Sequence, residues 1–416
     1  MTRRLHVAYV CGDRGVPVGG YKGASIHVGE MVRALISERA DVQVVAARVA
    51  NPIDRRFLPA PVIDVGGSKA ARQARQVLYA AAGGAGSDQH LTEVRALLLN
   101  QPMAKALERL NATWRIDAIY ERYSLWSFAA AGVARAARIP FVLEVNAPLC
   151  LEQKRYRQLA NEAAARDLEG YLLRSADCVV VPSRQLADFV RSRGVPAKRV
   201  RVIPNAADPA RYDPRIVARR RASGEFRERF VVGFVGSLKP WHGIDQLMKA
   251  FRILYRRWSG YRLLIVGDGP LRPQLERTAR DMGIAGAVEF TGGVGPSEVP
   301  ALLARMDAAV APYAPLKGFY FSPIKIYEYM AAGVPIVASD IGQISEVLDH
   351  GKTALLQKPG AVRELAERID ELRRRPALAE RLASTARRKL CRNYTWRRNA
   401  RRVLDLVRRI GEEKRG

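Results

Sequence analysis

The sequence predicts an α/β protein with two doubly wound parallel-sheet domains. Twelve short apolar runs rich in β-branched residues recur along the chain, from LHVAYV near the amino terminus to ALLQKP after residue 353. Near-continuous apolar runs are typical of parallel strands that are buried on both faces. The segments between them repeat apolar residues at intervals of three and four, as amphipathic helices do. Two successive series of such βα units indicate two domains.

Each series contributes six predicted strands. Those of the first series are LHVAYV, VQVVAA, AIYER, FVLEV, CVVVPS and VRVIPN. Those of the second are FVVGFVGS, RLLIVGDG, VEFTGG, AAVAPY, PIVASD and ALLQKP. Three prolines between residues 204 and 214 and the basic run ARRRASGEFRER separate the two series, as a linker would. We therefore place one domain at residues 1–207, a second at 208–390 and a last helical segment at 391–416.

Residues 51–115 interrupt the strand–helix alternation of the first domain. They contain a predicted loop, RFLPAPVIDVGGSKAARQ, and amphipathic helices such as LTEVRALLLNQPMAKALERL. We interpret this region as a helical insertion. Such an insertion either shapes an acceptor cleft or adds a plain packing layer, and both interpretations stay open.

The large positive net charge indicates which classes of binding partner are plausible. The 416-residue chain carries a formal charge of +28, and residues 361–416 alone hold 18 Lys and Arg against 8 Asp and Glu. Such a charge suits anionic partners, and an arginine-biased genome also explains it. The basic runs lack aromatic interleaving and zinc-finger spacing, which argues against nucleic acid. An anionic membrane and anionic substrates remain, and the basic C-terminal region leads us to expect a peripheral contact with the inner face of a membrane.

Cysteine usage and hydropathy predict a cytoplasmic location. The four cysteines, Cys11, Cys150, Cys178 and Cys391, are far apart and show no metal-ligand spacing. Reduced thiols of this kind are typical of the cytoplasm. No apolar run approaches the roughly 18 residues of a membrane span, and the first one is too short for a secretory leader.

Residues 319–346 are the most informative segment. Their sequence, FYFSPIKIYEYMAAGVPIVASDIGQISE, predicts a loop, a helix, a buried strand and another helix start. Ser322 can cap the first helix, and Pro323 suits its first position. Lys325 and the free N–H groups of the helix start form a phosphate site, and Glu328 can accept two hydroxyl groups, as from a ribose. An ordinary helix with a solvated Lys–Glu pair explains the same residues equally well.

This segment resembles the donor-site signature of the family-four retaining glycosyltransferases, which have the GT-B fold. The signature has two glutamates separated by seven residues, and Glu328, with MAAGVPIVAS behind it, matches the second, which binds the ribose. Tyr320 stands in place of the first, which holds the donor sugar, so the sugar stays open. A subset of the family carries FSP-type sequences here, and the resemblance places Tyr320, Ser322 and Ile324 in the donor site.

Two loops of the second domain complete the predicted donor site. In FVGSLKPWHG, Gly236 follows a buried strand and permits the close approach of a phosphate. The family has Arg and Lys where this chain has Ser237 and His242, and the FSP subset tends to share the SLKPWHG form. We predict that Lys239 takes over the diphosphate contact. His242 either donates a hydrogen bond to the diphosphate or is a loop histidine under Trp241.

The other loop, in LLIVGDGP, places Gly267, Asp268 and Gly269 at the carboxyl edge of the sheet, where ligands bind in such folds. By resemblance it lines the nucleoside. In the first domain, Gly19 and Gly20 resemble the family loop that faces the donor diphosphate and the acceptor. Asn146 stands near the place where the family often has a His that touches the donor sugar. An Asn cannot act as a base at neutral pH, but it can hydrogen-bond sugar hydroxyls.

The resemblance implies transfer of a sugar, with retention, from a UDP- or GDP-linked donor to a hydroxyl of a glycan or lipid-linked acceptor. It also implies two Rossmann-like domains facing a cleft and a C-terminal helix that crosses back to the first domain. The catalytic candidates are Asn146, Lys239 and Glu328. No cofactor or metal is expected, because Lys239, Lys325 and helix N-termini offer the substitute charge.

No paired carboxylates stand out in the sequence. The family mechanism explains this, because there the leaving phosphate oxygen itself accepts the proton of the acceptor. Two other functions stay open. One is a sugar-nucleotide epimerase or hydrolase of the same fold, and the other is a catalytically silent partner subunit.

Overall fold

The computed structural model describes residues 3–55, 57–68, 71–73, 76, 89–156, 158–224, 227–316 and 318–415. The chain divides into two compact units. The first comprises residues 1–204 and 397–416, and the second comprises residues 205–396.

The first unit is built on a seven-stranded parallel sheet with the order β3-β2-β1-β4-β5-β6-β7. Its strands are β1 His6–Cys11, β2 Asp41–Ala46, β3 Val62–Asp64, β4 Ala118–Arg122, β5 Phe141–Glu144, β6 Cys178–Val181 and β7 Val200–Val202. Its helices are α1 Gly23–Ser37, α2 Gln89–Leu98, α3 Asn100–Trp114, α4 Ala129–Ala136, α5 Leu149–Tyr156, α6 Glu162–Ser175 and α7 Arg184–Ser192. The reversal of strand order between β1 and β4 is the mark of a doubly wound sheet.

The second unit repeats this plan with six parallel strands in the order β10-β9-β8-β11-β12-β13. The strands are β8 Phe230–Val235, β9 Tyr261–Val266, β10 Val288–Gly292, β11 Ala308–Ala311, β12 Ile336–Ser339 and β13 Leu355–Gln357. The helices are α8 Pro214–Ala222, α9 Ile244–Arg257, α10 Arg272–Asp281, α11 Val299–Ala304, α12 Ile324–Ala332, α13 Gln343–Val347, α14 Val362–Arg374 and α15 Pro376–Asn393. The last helix, α16, is Trp396–Glu413.

Alternate residues of the second sheet lie in two separate apolar cores. On β8, Val231 and Val235 belong to one core, and Val232 and Phe234 belong to the other. Helices therefore cover both faces of the sheet. Because the strands are buried on both faces, their sequences are apolar throughout and do not alternate with polar residues. The twelve predicted strands are all present, and the predicted pair of doubly wound parallel sheets is confirmed.

One strand was missed. Val62–Asp64 pairs in parallel with β2, inside the stretch that the sequence assigns to a loop. The strand is only three residues long and follows a proline. It is therefore too short to show the apolar run or the alternation by which a strand is recognised in a sequence. Within the predicted insertion, α2 and α3 are helical, whereas residues 69–70, 74–75 and 77–88 lie outside the described part of the chain.

The boundaries between the units lie at 204/205 and 396/397. The sequence predicts them at 207/208 and 390/391. Asn205 belongs to the second unit because its Nδ2 donates to the carbonyl of Ser322 at 2.6 Å. Helix α16 belongs to the first unit, where Arg397 Nε lies 2.9 Å from Glu38 Oε1 and Lys414 Nζ lies 2.6 Å from Asp177 Oδ2. No helix in the described residues is both long and apolar enough to cross a membrane.

Candidate nucleotide-binding site

Two loops at the carboxyl edge of the second sheet are joined by backbone hydrogen bonds. Gly236 N donates to Val266 O at 2.9 Å, and Leu238 N donates to Asp268 O at 3.0 Å. Gly267 has a φ of +130°, and a Cβ there would lie 2.2 Å from the carbonyl oxygen of Gly236. Glycine is therefore required at Gly267 by the contact between the loops. The N–H of Gly236 is already bonded and is therefore not available to a phosphate.

Lys325 is the central cation of the site. It is 7% exposed, and its Nζ has no hydrogen-bond partner within the described residues. The ammonium lies 4.0 Å from the ring centroid of Phe234, on β8, and 5.5 Å from that of Tyr313, which follows β11. Strands β8 and β11 flank the switch point, where doubly wound sheets bind ligands. Burial lowers the pKa of Lys325 to about 7, against a smaller raising effect of Glu328.

Gly236 provides the space that Lys325 occupies. A Cβ at Gly236 would lie 2.8 Å from Lys325 Nζ. The φ of Gly236 is +142°, so glycine suits this position for its backbone as well. A buried cation without a hydrogen-bond partner is costly, and an anion bound beside it would remove that cost.

His242 is held as a neutral imidazole. Its Nδ1 lies 2.5 Å from the carbonyl of Ser237, which can only accept, so Nδ1 carries the proton. Burial, followed by the charge of Lys325, lowers the pKa of His242 to about 2. Nε2 of this tautomer is then an acceptor. The predicted hydrogen bond from His242 to a diphosphate therefore requires the imidazole to gain a second proton.

Lys239 is partly exposed and lies over an aromatic surface. Its Nζ is 5.1 Å from the ring centroid of Trp241, which in turn stacks on Phe321 at 6.4 Å. The same loop exposes Ser237. Lys239 thus supplies a positive charge at the solvent side of the site, whereas Lys325 supplies one from inside.

Glu328 has a partner that the sequence did not reveal. Tyr212 donates a hydrogen bond from its hydroxyl to Glu328 Oε1 at 3.1 Å. Tyr212 is 3% exposed, and Glu328 is half-buried on α12. The two residues are 116 positions apart, and no local pattern links them. The contact fixes the carboxylate on which the ribose prediction depends.

The start of α12 differs from the prediction. The capping residue is Pro323, no side chain caps the helix, and Ile324 is its first residue. Ser322 instead accepts a hydrogen bond on its Oγ from the backbone N–H of Asn205 at 3.3 Å. The hydroxyl of Ser322 therefore bonds to the distant Asn205 instead of capping its own helix. Tyr320 is half-buried beside Phe321, with ring centroids 4.4 Å apart.

Asp268 closes the turn after β9. Its Oδ1 accepts from the N–H of Gly269 at 2.8 Å, and its Oδ2 lies 4.0 Å from a guanidinium nitrogen of Arg272. An exposed carboxylate would repel a diphosphate, and Arg272 partly offsets that charge. Arg272 was not among the predicted residues, and as the first residue of α10 it had no motif to mark it.

The first unit holds three of the predicted residues. Gly19 and Gly20 are buried, and Gly19 has a φ of +81° with Ile53 near the place of a Cβ, which gives Gly19 a structural role. Asn146 follows β5 and is half-buried, and its Nδ2 is buried without a hydrogen-bond partner among the described residues. An unsatisfied amide of this kind suits a sugar hydroxyl. The contacts of these three residues with a donor stay predictions.

No group of three His, Cys, Asp or Glu side chains able to hold a metal ion occurs in the part of the chain that the structure describes. The titratable groups of the site are instead two lysines, a neutral histidine, a tethered glutamate, and an aspartate beside an arginine. They give this α/β protein a candidate anion site at the switch point of its second sheet, next to a carboxylate suited to hydroxyl groups.

Comparisons with known proteins agree with this class. Residues 22–206 match the glycosyl transferase 4-like domain, and residues 229–375 match the glycosyl transferases group 1. The glycogen synthase of Mycobacterium tuberculosis is 30% identical over 290 residues, which are 68% of this chain and 66% of that protein. A GDP-mannose-dependent α-(1-6)-phosphatidylinositol monomannoside mannosyltransferase of the same organism is 34% identical over 197 residues, 45% of this chain and 51% of that protein. These matches span less than two thirds of either relative.

Solved structures show the same fold over almost the whole chain. Sucrose-phosphate synthase from Thermosynechococcus elongatus has a TM-score of 0.72 at 20% identity and covers 98% of this chain and 99% of its own. HepE of Anabaena, in complex with UDP and glucose, has a TM-score of 0.70 at 21% identity and covers 97% and 99%. Two glycosyltransferase family models thus match successive parts of the chain, a 4-like domain followed by a group 1 domain, and the solved structures share its fold.

Proposed function

We propose that this protein is a retaining family-four glycosyltransferase, which moves a sugar from a nucleotide diphosphate sugar to an acceptor hydroxyl. The observation that carries the proposal is Lys325. Its buried ammonium has no hydrogen-bond partner in the described residues and lies at the switch point. Glu328 lies three residues further along the same helix, and its carboxylate can accept hydrogen bonds from the two hydroxyl groups of a ribose.

The chemistry follows from where charge develops. When the bond between the sugar and the diphosphate breaks, negative charge grows on the leaving diphosphate. Lys325 and Lys239 stabilise that charge without a metal ion. Asn146 donates its unsatisfied Nδ2 to a sugar hydroxyl, and Tyr212 holds Glu328 toward the ribose. The leaving phosphate oxygen takes the proton of the acceptor hydroxyl on the same face, which gives retention without a protein nucleophile.

The nucleotide is UDP or GDP, and the acceptor is a glycan or a lipid-linked molecule. HepE was solved with UDP and glucose, and one mycobacterial relative is named for GDP-mannose and a phosphatidylinositol mannoside. The protein uses no cofactor. It acts in the cytoplasm, with peripheral contact to the inner face of a membrane, for which the charge of +28 and the exposed arginines of α16 are the support.

The proposal is tested by incubating the protein with a panel of UDP- and GDP-sugars and simple acceptors. Release of the nucleoside diphosphate that depends on acceptor, with the anomeric configuration of the product kept in its proton NMR spectrum, is the expected result. Release of free sugar without acceptor would indicate a hydrolase, and an altered donor would indicate an epimerase. No turnover and no nucleotide binding would indicate a silent subunit and overturn the proposal.

A further inference from the structure

A second charged site lies in the first unit, at the edge of its sheet where the amino ends of the strands lie. A cavity of about 570 Å³ opens where β6 and β7 begin, and the last turns of α16 form its other wall. Its volume falls in the range of small-molecule pockets, about 300–1,000 Å³. Ligands of doubly wound sheets bind at the carboxyl ends of the strands, so this cavity at the amino ends is separate from any such site.

Five of the ten residues that line the cavity are cationic, and two, Asp177 and Glu413, are acidic. Lys198, Arg199 and Arg201 come from the β7 side, and Arg409 and Lys414 come from α16. Lys414 is neutralised, because its Nζ lies 2.6 Å from an oxygen of Asp177. That same oxygen of the Asp177 carboxylate also accepts from the N–H of Phe141 at 2.8 Å, so it is fully engaged.

The other cations have no such partner. Within the described residues, no carboxylate lies within ion-pair distance of Lys198, Arg199, Arg201 or Arg409. The guanidinium of Arg201 is instead fixed by the carbonyls of Lys198 and Val200, at 2.8 and 2.9 Å. Glu413 also lines the cavity and offsets one of these four charges, which leaves a net charge of +3 beside the Lys414–Asp177 pair. The remaining positive charges repel each other, and an anion bound between them would turn that repulsion into attraction.

The wall of the cavity is not entirely polar. Leu406 and Ile410, both on α16, line it beside Arg409. Arginine binds phosphate through two parallel hydrogen bonds, and an apolar wall suits the carbon part of an organic phosphate. We propose that this cavity binds the phosphate group of an organic phosphate, either soluble or the headgroup of an anionic lipid.

The proposal is tested on the full chain with inorganic pyrophosphate as the probe, in calorimetric titrations. The wild-type protein should show two binding events, one at the candidate nucleotide-binding site of the second unit and one at the cavity. A triple variant, Lys198→Gln, Arg201→Gln and Arg409→Gln, should weaken the cavity event by about tenfold or more, because each substitution removes a charged hydrogen-bond donor. Lys239→Ala should weaken only the other event, so the two sites are told apart.

The control carries the same change of charge. Lys249, Arg256 and Arg277 are exposed residues of the second unit, and their triple replacement by Gln should leave the cavity event unchanged. Thermal melting of both triple variants checks folding, and Arg409→Glu, a single exposed reversal, provides an independent variant. Equal cavity binding by the wild-type protein, the cavity triple and Arg409→Glu would overturn the proposal, as would the absence of a second binding event.

Sedimentation with vesicles identifies the source of the phosphate. If the cavity triple loses retention on phosphatidylglycerol vesicles and the control triple does not, the ligand is a lipid headgroup. If vesicle retention is equal in both triples while the cavity pyrophosphate event is lost only in the cavity triple, the ligand is a soluble phosphate. Both results support the site.

Discussion

The hydroxyl of Tyr212 donates to Glu328 Oε1 at 3.1 Å and thereby joins the segment before β8 to helix α12. Glu328 is half-buried, whereas Tyr212 is 3% exposed and packs in the apolar core of the second unit. Hydrogen bonds to a charged acceptor are stronger and more directional than neutral ones. The contact therefore sets the direction of the carboxylate that we predict to bind a ribose.

Tyr212→Phe should weaken the binding of the nucleoside diphosphate. The substitution keeps the packing of the ring and removes a hydrogen bond to a charged group, which is worth about 1.5–3 kcal/mol. Part of that cost falls on folding, so we expect an affinity loss of about fivefold to tenfold together with a lower melting temperature. Calorimetry measures the first, and thermal unfolding measures the second.

Tyr255→Phe is the matched control. Tyr255 lies on α9 and stacks on Phe251 with centroids 6.0 Å apart. It lies in the last turn of α9, shortly before β9 begins, and therefore at the opposite edge of the sheet from the loops that follow β8 and β9, so its change should leave nucleotide affinity unaltered. If Tyr212→Phe binds the nucleotide as tightly as Tyr255→Phe does, Tyr212 has no part in donor binding.

The sequence predicted those features of the fold that depend on neighbouring residues, such as the strands, and missed the contacts between distant residues. The twelve apolar strands are readable because burial on both faces forces near-continuous apolar runs. The sequence could not show that Ser322 is bonded to Asn205 rather than capping α12, because their partnership spans 117 residues. The neutral state of His242 escaped for the same reason, since it follows from burial and from Lys325 in another element. The sequence identified Lys239 and Lys325, whereas Arg272 and the contact between Tyr212 and Glu328 depend on the fold and were missed.

Lys239→Ala should weaken diphosphate binding without harming the fold. Lys239 lies at the surface side of the site over Trp241, so its removal leaves no buried group unsatisfied. The loss of a charged hydrogen bond predicts a cost of about 1.5–3 kcal/mol, or roughly tenfold to a hundredfold in dissociation constant. Lys249→Ala, an exposed lysine on α9, is the control. Unchanged affinity for the nucleoside diphosphate in both Lys239→Ala and Lys325→Ala would show that the diphosphate does not bind at this site.

Lys325 should make the stability of the protein depend on pH. Its pKa is about 7 in the folded protein and 10.5 in the reference state. Below pH 7 both states carry the proton, and burial of the ammonium opposes folding in full. Between pH 7 and 10.5 the folded protein releases the proton, so stability rises with pH. The wild-type protein should gain about 2–3 kcal/mol relative to Lys325→Met between pH 7 and pH 9.

The same pKa predicts proton uptake when the donor binds. At pH 8 most of the free protein carries a neutral Lys325 amine, and a diphosphate beside it favours the ammonium. Calorimetry in two buffers of different ionisation enthalpy should show uptake of nearly one proton for each nucleoside diphosphate bound. Lys325→Arg keeps the charge at every pH and should abolish the uptake. Identical uptake in the wild-type protein and Lys325→Arg would assign the proton to another group, with His242 the first to test.

Turnover should persist after metal removal. The described residues contain no cluster of three metal-ligating side chains, and two lysines flank the predicted diphosphate. Positive side chains can replace a metal ion in stabilising a leaving phosphate. We expect the rate of sugar transfer in excess chelator to stay within about twofold of the untreated rate, a difference of less than 1 kcal/mol in barrier. Complete loss that is reversed by added Mg²⁺ or Mn²⁺ would contradict this.

The membrane contact should depend on the first turns of α16. Arg397, Arg398, Arg401 and Arg402 are exposed there. Two of them also bind Glu38, because Arg397 Nε and Arg401 Nε lie 2.9 and 2.5 Å from its carboxylate oxygens. Each arginine near an anionic surface contributes about 1 kcal/mol, and salt screens that contribution.

Replacing all four arginines by Gln should therefore lower retention on anionic vesicles and remove its salt dependence. Neutral vesicles should retain little of either protein. The matched control replaces Lys249, Arg256, Arg277 and Arg280, four exposed cations of the second unit, by Gln. Because the change also leaves Glu38 without its two arginines, melting temperatures must accompany the sedimentation. Equal, salt-insensitive recovery of the wild-type protein on neutral and anionic vesicles would rule the electrostatic contact out, and so would equal retention of the two quadruple variants.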